Sequence, residues 1–282
     1  MRTTPALPAD ISIAFIGGGN MASAIIGGLA GQGLPAARIV VVEPSDEARA
    51  RLAQQFGIAA HACADAAGTA LGGCAVAVWA VKPQTFHEAA TAAAPHVARA
   101  LHLSVAAGIP SGSIARWLGT ERIVRAMPNT PALVGQGMTG LFARAGADAA
   151  DRALVERLLG PTGALLWVDE ERLLDAVTAL SGSGPAYVFY VIEALAQAGV
   201  DMGLAPQQAH RLAVGTFVGA SALAAASDEP PAVLRQRVTS KGGTTHAAIT
   251  ALEAAQVKQQ FVAAIRAAER RAQELGQEFG AD

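Results

Sequence analysis

Residues 11–22 of this 282-residue chain read Ile-Ser-Ile-Ala-Phe-Ile-Gly-Gly-Gly-Asn-Met-Ala. The apolar run Ile11–Ile16 has the length of a strand, and Asn20–Ala30, with its apolar residues four apart, has the periodicity of a helix. Between them lies Gly-x-Gly-x-x-Ala. The first glycine of such a pattern permits a tight turn, the second lets a pyrophosphate approach the backbone, and the alanine lets the helix pack on the sheet. This stretch predicts a βαβ unit that binds a dinucleotide.

Strand-length apolar runs alternate with helical patterns through the first 168 residues. The runs after the first are Ile39–Val42, Val76–Val81, Leu101–Ala106, Arg122–Met127, Gly137–Ala143 and Gly163–Val168. Strands that are apolar on both faces and separated by helices indicate a parallel sheet covered on both sides. Residues 11–168 are therefore predicted to form a doubly wound, Rossmann-like α/β domain.

The pattern changes after Val168, where we find helical periodicity and no convincing strand. The helical segments are Leu173–Leu180, Ala186–Ala198, Pro206–Ala226 and Glu253–Leu275. Residues 169–282 are predicted to form a second, all-helical domain. A domain of that size, rich in alanine and other apolar residues, leaves apolar surface uncovered unless a partner covers it. We therefore expect a homodimer or a larger homo-oligomer.

Composition excludes several classes of protein. With 52% hydrophobic and 16% charged residues, the chain has too much apolar surface for a disordered protein. A formal charge of -2 gives no basis for nucleic-acid binding, and the long uncharged windows are interrupted too often for a membrane span. Cys63 and Cys74 form no CxxC, the six histidines show no metal-ligand spacing, and no signal peptide is visible. We expect a cytoplasmic protein without a metal.

The end of the second predicted strand bears on which dinucleotide is bound. Glu43 lies about twenty residues after the glycine motif, where an acid normally accepts the ribose 2′-hydroxyl of NAD and repels the 2′-phosphate of NADP. Ser45, Arg49 and Arg51 follow closely and would serve a phosphate if Glu43 turns away. The alternative for both arginines is a solvated helix face.

Two other strand ends lie at the same edge of the predicted sheet, where open α/β sheets bind their ligands. One strand ends at Val81 and is followed by Lys82 and Pro83, and all three residues are predicted to contact the cofactor. Asn129, which follows another, has a donor and an acceptor for a carboxamide or a substrate. The alternatives are a lysine that caps a strand end at the surface and an asparagine that holds a proline-rich turn.

Two hydroxyl-rich breaks interrupt the helical half, Ser181–Pro185 and Ser240–Thr245. The second, together with Thr239 before it, combines four hydroxyls with a Gly-Gly pair before a helix, which is more than a helix cap requires and suits a small carboxylate. An alcohol dehydrogenase needs a general base. A protonated imine, by contrast, accepts hydride directly, so a pocket rich in hydroxyls and poor in acids suits imine reduction.

Five ordered stretches closely resemble the pyrroline-5-carboxylate reductase family. They are Phe15–Ala22, Val81–Gln84, Ala126–Gly135, Leu180–Tyr187 and Thr239–Thr245. The resemblance implies the last step of proline synthesis, hydride transfer from NADPH to 1-pyrroline-5-carboxylate to give L-proline, with NADH as an alternative donor. It also implies an intertwined dimer built from the helical domain, with a decamer as a further assembly.

The resemblance also assigns cofactor residues by position. Those implied at the pyrophosphate are Gly17, Gly18, Gly19, Asn20 and Met21. Lys82 and Pro83 would lie near the ribose and nicotinamide, and Asn129 at the nicotinamide end of the crevice.

Substrate residues are implied in the same way. Ser240, Gly243 and Thr244 would hold the substrate carboxylate. Thr245, the implied catalytic residue, would form a hydrogen bond with the ring nitrogen. One departure is Lys241, which stands where the family usually has proline; it loosens the loop and adds a cation near the carboxylate.

Two competing functions fit part of the sequence. A β-hydroxyacid dehydrogenase shares the two-domain plan but needs a catalytic lysine on the helix after the glycine-rich break, and Tyr187–Val191 contains none. A non-catalytic redox sensor would keep the motif at residues 17–22 without needing the hydroxyl-rich loop at 240–245.

Overall fold

A sheet of seven strands forms the centre of the first part of the chain, in a computed structural model that describes residues 7–8 and 10–280. The strands are β1 Ile13–Ile16, β2 Ile39–Val42, β3 Val76–Trp79, β4 Leu101–Ser104, β5 Ile123–Met127, β6 Gly137–Ala143 and β7 Gly163–Trp167. Their order across the sheet is β2-β1-β3-β4-β5-β6-β7, and β1 to β5 are mutually parallel. The predicted doubly wound α/β fold is confirmed.

The sheet departs from the expected parallel arrangement at β6. This strand runs antiparallel to β5, and β7 then runs parallel to β6. The connection from β5 to β6 consists only of residues 128–136, whereas a parallel crossover needs about a dozen residues or more, usually in a helix. The chain therefore reverses direction at this point, through a 3-10 helix at Thr130–Val134.

Helices alternate with the strands up to β7 and make up all the regular structure that is described beyond it. In chain order they are α1 Asn20–Gly31, α2 Asp46–Phe56, α3 Ala64–Gly72, α4 Phe86–Val97, α5 Ser111–Leu118, α6 Ala149–Leu159, α7 Leu173–Val177, α8 Gly184–Asp201, α9 Pro206–Ala225, α10 Pro231–Arg237, α11 Thr244–Ala254 and α12 Val257–Gly280. The helix predicted over Glu253–Leu275 is wrong at its start, because Gln256, with φ of 53°, separates α11 from α12. The helix predicted over Leu173–Leu180 leaves α-helical geometry at the π-helix Thr178–Gly182.

The two faces of the sheet bury separate apolar cores. Along β1, Ile13 and Phe15 contribute to one core, whereas Ala14 and Ile16 contribute to the other. Successive side chains of a strand point to opposite faces, so a strand that is covered on both sides must be apolar throughout. This explains why the first strands read as continuous apolar runs.

The chain divides into two compact units. The first contains the described residues up to Ser183 together with those from Ala268, and the second is Gly184–Ala267. Helix α12 therefore contributes residues to both units. The domain limits 11–168 and 169–282 stay a prediction.

The second unit exposes many large apolar side chains. Tyr190, Met202 and Leu223 are each more than 70% exposed, while the buried positions of α8 and α9 are occupied only by glycine and alanine. Isolated units rarely expose this much apolar surface unless it meets a partner. Among the described helices, none is long and apolar enough to cross a membrane.

A buried polar pair joins the two central strands β3 and β4. Trp79 donates its indole N–H to His102 Nδ1 over 3.1 Å, and both side chains are almost completely inaccessible to solvent. Burial, with a smaller contribution from the positive charge of Arg122, lowers the pKa of His102 to about 4. His102 is therefore neutral in the folded protein at any pH near neutrality.

This histidine makes stability depend on pH. Between pH 6.5 and 4 the unfolded chain binds a proton that the folded chain does not, so we expect the free energy of unfolding to fall by about 3 kcal/mol as the pH drops through that range. His102→Asn should reduce overall stability but flatten this dependence, measured by urea denaturation at several pH values. His210→Asn, at an exposed position of α9, is the control, and an unchanged slope in the His102 variant would contradict the assignment.

Candidate dinucleotide and substrate sites

The turn between β1 and α1 brings the backbone of two strands into close contact. Gly17 has φ of 98°, and a Cβ at this position would lie 2.7 Å from the carbonyl oxygen of Ala80, just after β3. Any side chain would therefore be both strained and obstructed here. At Gly19 a Cβ would meet nothing within 4 Å, so the backbone faces open space. The start of α1 has no side-chain cap, which leaves its N–H groups suited to an anion.

A cavity of about 500 Å³ opens at this turn. It is lined by residues at the carboxyl ends of β1, β2 and β3, among them Gly17, Gly19, Glu43, Val81 and Lys82. Strands β2 and β3 lie on opposite sides of β1, so the chain winds away in two directions from this point. Doubly wound sheets bind dinucleotides at such a switch point. The open face of Gly19, the uncapped helix and the cavity together fit a dinucleotide.

The remaining predicted cofactor residues are not among the described residues that line this cavity: Gly18, Asn20, Met21, Ser45, Pro83 and Asn129. Asn20 instead lines a second cavity of about 470 Å³, together with Ser23 and Arg51. Arg51 is not among the described residues that line the cavity at the ends of β1, β2 and β3. The cofactor roles of these residues stay predictions.

Both carboxylate oxygens of Glu43 are bound by backbone N–H groups. Oε2 accepts from Gly18 N at 2.7 Å, inside the glycine-rich turn, and Oε1 accepts from Ser45 N at 2.9 Å. The side chain is half-buried and borders the cavity. Glu43 therefore does not turn away from the cofactor site, and a negative charge is fixed there.

Two of the three residues considered as alternative phosphate partners, Ser45 and Arg49, are engaged in the β2–α2 loop. Ser45 caps α2 by accepting from Ala48 N at 3.3 Å. Arg49 donates to the carbonyl oxygens of Glu43 and Pro44, both at 2.8 Å, and is paired with Asp46. Its guanidinium group thus holds the loop together rather than lying on a solvated helix face.

Lys82 follows β3 and lines the cavity. Its carbonyl oxygen accepts from Thr85 N at 3.1 Å and from the Thr85 hydroxyl at 3.2 Å, which closes the short 3-10 helix Pro83–Thr85. Its ammonium group forms no ion pair with any residue in the described ranges. A lysine held at its backbone and free at its charged end is suited to a ligand in the cavity.

Asn129 joins three segments of the chain through its side-chain amide. Oδ1 accepts from Met138 N at 2.9 Å, and Nδ2 lies 3.1 Å from the carbonyl oxygen and 3.2 Å from the hydroxyl of Ser181. This asparagine thus holds the start of β6 and the π-helix, and does more than stabilise its own turn.

The π-helix Thr178–Gly182 is a feature that helical periodicity did not predict. At Gly182 a Cβ would lie 2.5 Å from the terminal methyl of Met127, so the absence of a side chain lets this turn pack on the end of β5. π-turns inside helices occur frequently at functional sites. The only signal in the sequence was the run of small residues from Ser181 to Gly184.

Glu171 anchors the segment that leads into the π-helix. Its carboxylate accepts from the backbone N–H and the hydroxyl of Ser111 and from Arg125 Nη1, each at 2.6 Å. Burial alone would raise the pKa of Glu171, but Arg125 and Ser111 outweigh it and hold the pKa below its ordinary value. The charged form of Glu171 therefore ties α7 to β5 and α5.

The predicted substrate residues lie in a single turn of the second unit and the start of α11. Gly243 N donates to the carbonyl oxygen of Ser240 over 3.0 Å, and Gly242 has φ of 76°. A Cβ on Gly243 would lie 2.8 Å from the Ser240 hydroxyl oxygen, so this hydroxyl packs against the turn. Thr244 and Thr245 begin α11, whose N-terminus has no side-chain cap. Hydroxyls and backbone donors thus lie close together.

Two family models match this chain, one in each of its two parts. Residues 12–108 match the family model described as NADP oxidoreductase coenzyme F420-dependent, and residues 171–275 match the model for pyrroline-5-carboxylate reductase dimerisation. Pyrroline-5-carboxylate reductase of Pseudomonas aeruginosa is 45% identical over 95% of this chain and 98% of that protein. The Arabidopsis thaliana protein of the same name is 37% identical over 98% of this chain and 100% of its own. The chain belongs to the pyrroline-5-carboxylate reductase family.

Solved structures of pyrroline-5-carboxylate reductases share the fold. The Coxiella burnetii protein superimposes with a TM-score of 0.85 at 37% identity, covering 94% of this chain and 98% of that one. The Plasmodium falciparum protein, solved with NADP bound, has a TM-score of 0.84 at 28% identity, covering 95% and 99% of the two chains. An NADP-linked oxidoreductase is thus established, and the hydroxyacid dehydrogenase and non-catalytic sensor interpretations are set aside.

The fixed charge of Glu43 should tune the choice between NADPH and NADH. Glu43→Gln keeps an oxygen for Gly18 N but removes the charge, so the NADPH/NADH ratio of kcat/KM should rise about tenfold, equivalent to roughly 1.4 kcal/mol. Glu43→Ser should raise the ratio similarly while loosening the turn. Steady-state kinetics with both cofactors measure this. Glu47→Gln, an exposed acid in the first turn of α2, is the matched control; a rise in both variants alike would exclude a specific role for Glu43.

Proposed function

We propose that this enzyme reduces 1-pyrroline-5-carboxylate to L-proline with NADPH, and with NADH as a second donor, as the last step of proline biosynthesis. The observation that carries the proposal is the match to pyrroline-5-carboxylate reductases over nearly the full length of the chain. The dinucleotide-sized cavity in the first unit and the hydroxyl-rich turn in the second agree with it.

The first unit binds the cofactor in this proposal. The backbone from Gly17 to Met21 receives the pyrophosphate, and Val81, Lys82 and Pro83 line the way to the ribose and nicotinamide. Asn129 acts at the nicotinamide end, where it also holds Ser181. Bound NADPH supplies the hydride; the protein residues position it and exclude water.

The second unit binds the substrate. Ser240, Gly243 and Thr244 hold the carboxylate through hydroxyl and backbone donors. Thr245 forms a hydrogen bond with the ring nitrogen, which changes from iminium to amine during reduction. A contact that strengthens along this change lowers the barrier, because it stabilises the transition state more than the bound substrate.

The proposal extends to assembly and location. Residues 11–168 form the cofactor domain and residues 169–282 the substrate and dimerisation domain. The dimerisation model at 171–275 and the exposed apolar side chains of the second unit support an oligomer, and we propose a homodimer that assembles further into a decamer. We place the enzyme in the cytoplasm, whose reducing conditions suit a protein with two free thiols, Cys63 and Cys74.

One assay separates this function from its competitors. Purified enzyme should oxidise NADPH in the presence of 1-pyrroline-5-carboxylate and form proline, while a panel of β-hydroxyacids with NADP should give no reduction of the cofactor. Turnover of a hydroxyacid, or none with the pyrroline, would overturn the proposal.

Thr245 should affect the chemical step. Thr245→Ala should lower kcat/KM roughly 10–100-fold and kcat with it, because a hydrogen bond whose partner is left unpaired is worth about 1–3 kcal/mol. Thr245→Ser keeps the hydroxyl and should keep most activity. Thr244→Ala is the control, since Thr244 contributes chiefly its backbone N–H.

Thermal melts separate this role from helix capping. If Thr245 only caps α11, the alanine variant loses about 1 kcal/mol of stability but turns over normally while folded. An early melt with normal turnover would show that the catalytic assignment is wrong.

A further inference from the structure

The turn Ser240–Gly243 has a defined geometry that places particular demands on its second residue. The hydrogen bond from Gly243 N to the Ser240 carbonyl closes a four-residue turn, and Gly242 has φ of 76° at the third position. Lys241 is not among the described residues with positive φ. A negative φ followed by a glycine near +80° is the type II β-turn. The turn therefore belongs to a class with a known residue preference.

Lys241 is not the residue that this turn geometry favours. Proline is common at the second position of type II turns, because its ring presets the φ that the turn requires. Lys241 N also makes no backbone hydrogen bond within the described part of the chain, so a proline here would break none. Lysine leaves the turn less preorganised than proline would. Any advantage of lysine at this position therefore lies in its side chain.

The charge of Lys241 is unpaired, in contrast to that of its neighbours. Arg237 forms an ion pair with Glu229 at 2.5 Å, and Arg235 lies 3.5 Å from Glu253. Lys241 is exposed and forms neither a hydrogen bond nor an ion pair with any residue the structure describes. The nearest arginines along the chain are thus neutralised, and this ammonium group is not.

The unpaired ammonium adds to a group of donors that already favours an anion. Lys241 follows Ser240 directly in the chain and precedes the first residue of α11 by three positions, and the N-terminus of α11 has no side-chain cap. The partial positive charge of a helix N-terminus and a lysine charge act in the same direction on a carboxylate. Because lysine is a flexible point charge, it attracts an anion without imposing a fixed geometry on it.

We propose that Lys241 is a specificity-determining residue that draws the substrate carboxylate into the Ser240–Thr245 turn. The inference rests on the proposed function, since it takes this turn as the carboxylate site. Lys241 acts on capture of the anion and not on hydride transfer, so it determines KM and the selection of carboxylates over uncharged imines. Attraction between exposed charges is screened by salt, with a Debye length of about 10 Å at 0.1 M, so capture depends on ionic strength.

Four variants test this role at saturating NADPH. Lys241→Gln should raise KM for 1-pyrroline-5-carboxylate roughly 3–10-fold at low salt, leave kcat within about twofold, and flatten the fall of kcat/KM with added NaCl. Lys241→Arg keeps the charge and should restore both KM and the salt dependence. Lys241→Pro should flatten the salt dependence like the glutamine variant but raise KM less, because the turn is preorganised. Lys258→Gln, at the chain's one lysine besides Lys82 and Lys241, should behave as wild type.

The outcomes distinguish this inference from the proposed function. If wild type reduces the pyrroline but Lys241→Gln keeps its KM and its salt dependence, Lys241 has no such role. If Lys241→Gln lowers kcat and kcat/KM equally and leaves KM unchanged, the lysine acts in the chemical step and the capture role is wrong. No turnover of the pyrroline by wild type overturns both. The KM for 1-pyrroline, which lacks the carboxylate, should be equal in wild type and Lys241→Gln, and a rise there would also contradict the inference.

Discussion

The cofactor half of this protein depends on one close contact, that of Gly17 with the backbone just after β3. A Cβ at Gly17 would lie 2.7 Å from the Ala80 carbonyl oxygen, so β1 can turn into α1 only where no side chain stands between the two strands. That contact places the start of α1 over the ends of β1 and β3 and leaves Gly19 facing open space. The cavity at the switch point follows from it, because the ends of the strands remain uncovered.

Glu43 links this turn to the loop that follows β2. Its carboxylate accepts from Gly18 N and Ser45 N, while Arg49 holds the carbonyl oxygen of Glu43 itself. The loop after β2 and the glycine-rich turn are thus connected by a charged side chain. A substitution of Glu43 that removes its side-chain oxygens also removes the contact that holds the glycine-rich turn, so the charge at this position and the rigidity of the turn are coupled.

The sequence predicted features that arise from local periodicity. The first strands, α1 and the glycine motif all follow from the spacing of apolar residues and glycines over short distances. The reversal at β6 was missed because an apolar strand carries no mark of its direction, although the short connection before it limits the choice. Asn129 was singled out as a cofactor residue, but its contact with Ser181, 52 residues away, depends on tertiary packing that periodicity does not contain. The contacts of Arg49 are local, with Glu43, Pro44 and Asp46, but they depend on the conformation of the loop after β2, which the sequence pattern does not specify.

The apolar side chains exposed on the second unit have a consequence for the cell. In an oligomer, another copy of the chain covers apolar surfaces such as those of Tyr190 and Leu223. The free energy of unfolding then depends on the protein concentration. Dilution alone then weakens the native state. Proteolysis of newly made, unassembled chains would compete with assembly, so the enzyme's abundance would rise more steeply than its rate of synthesis.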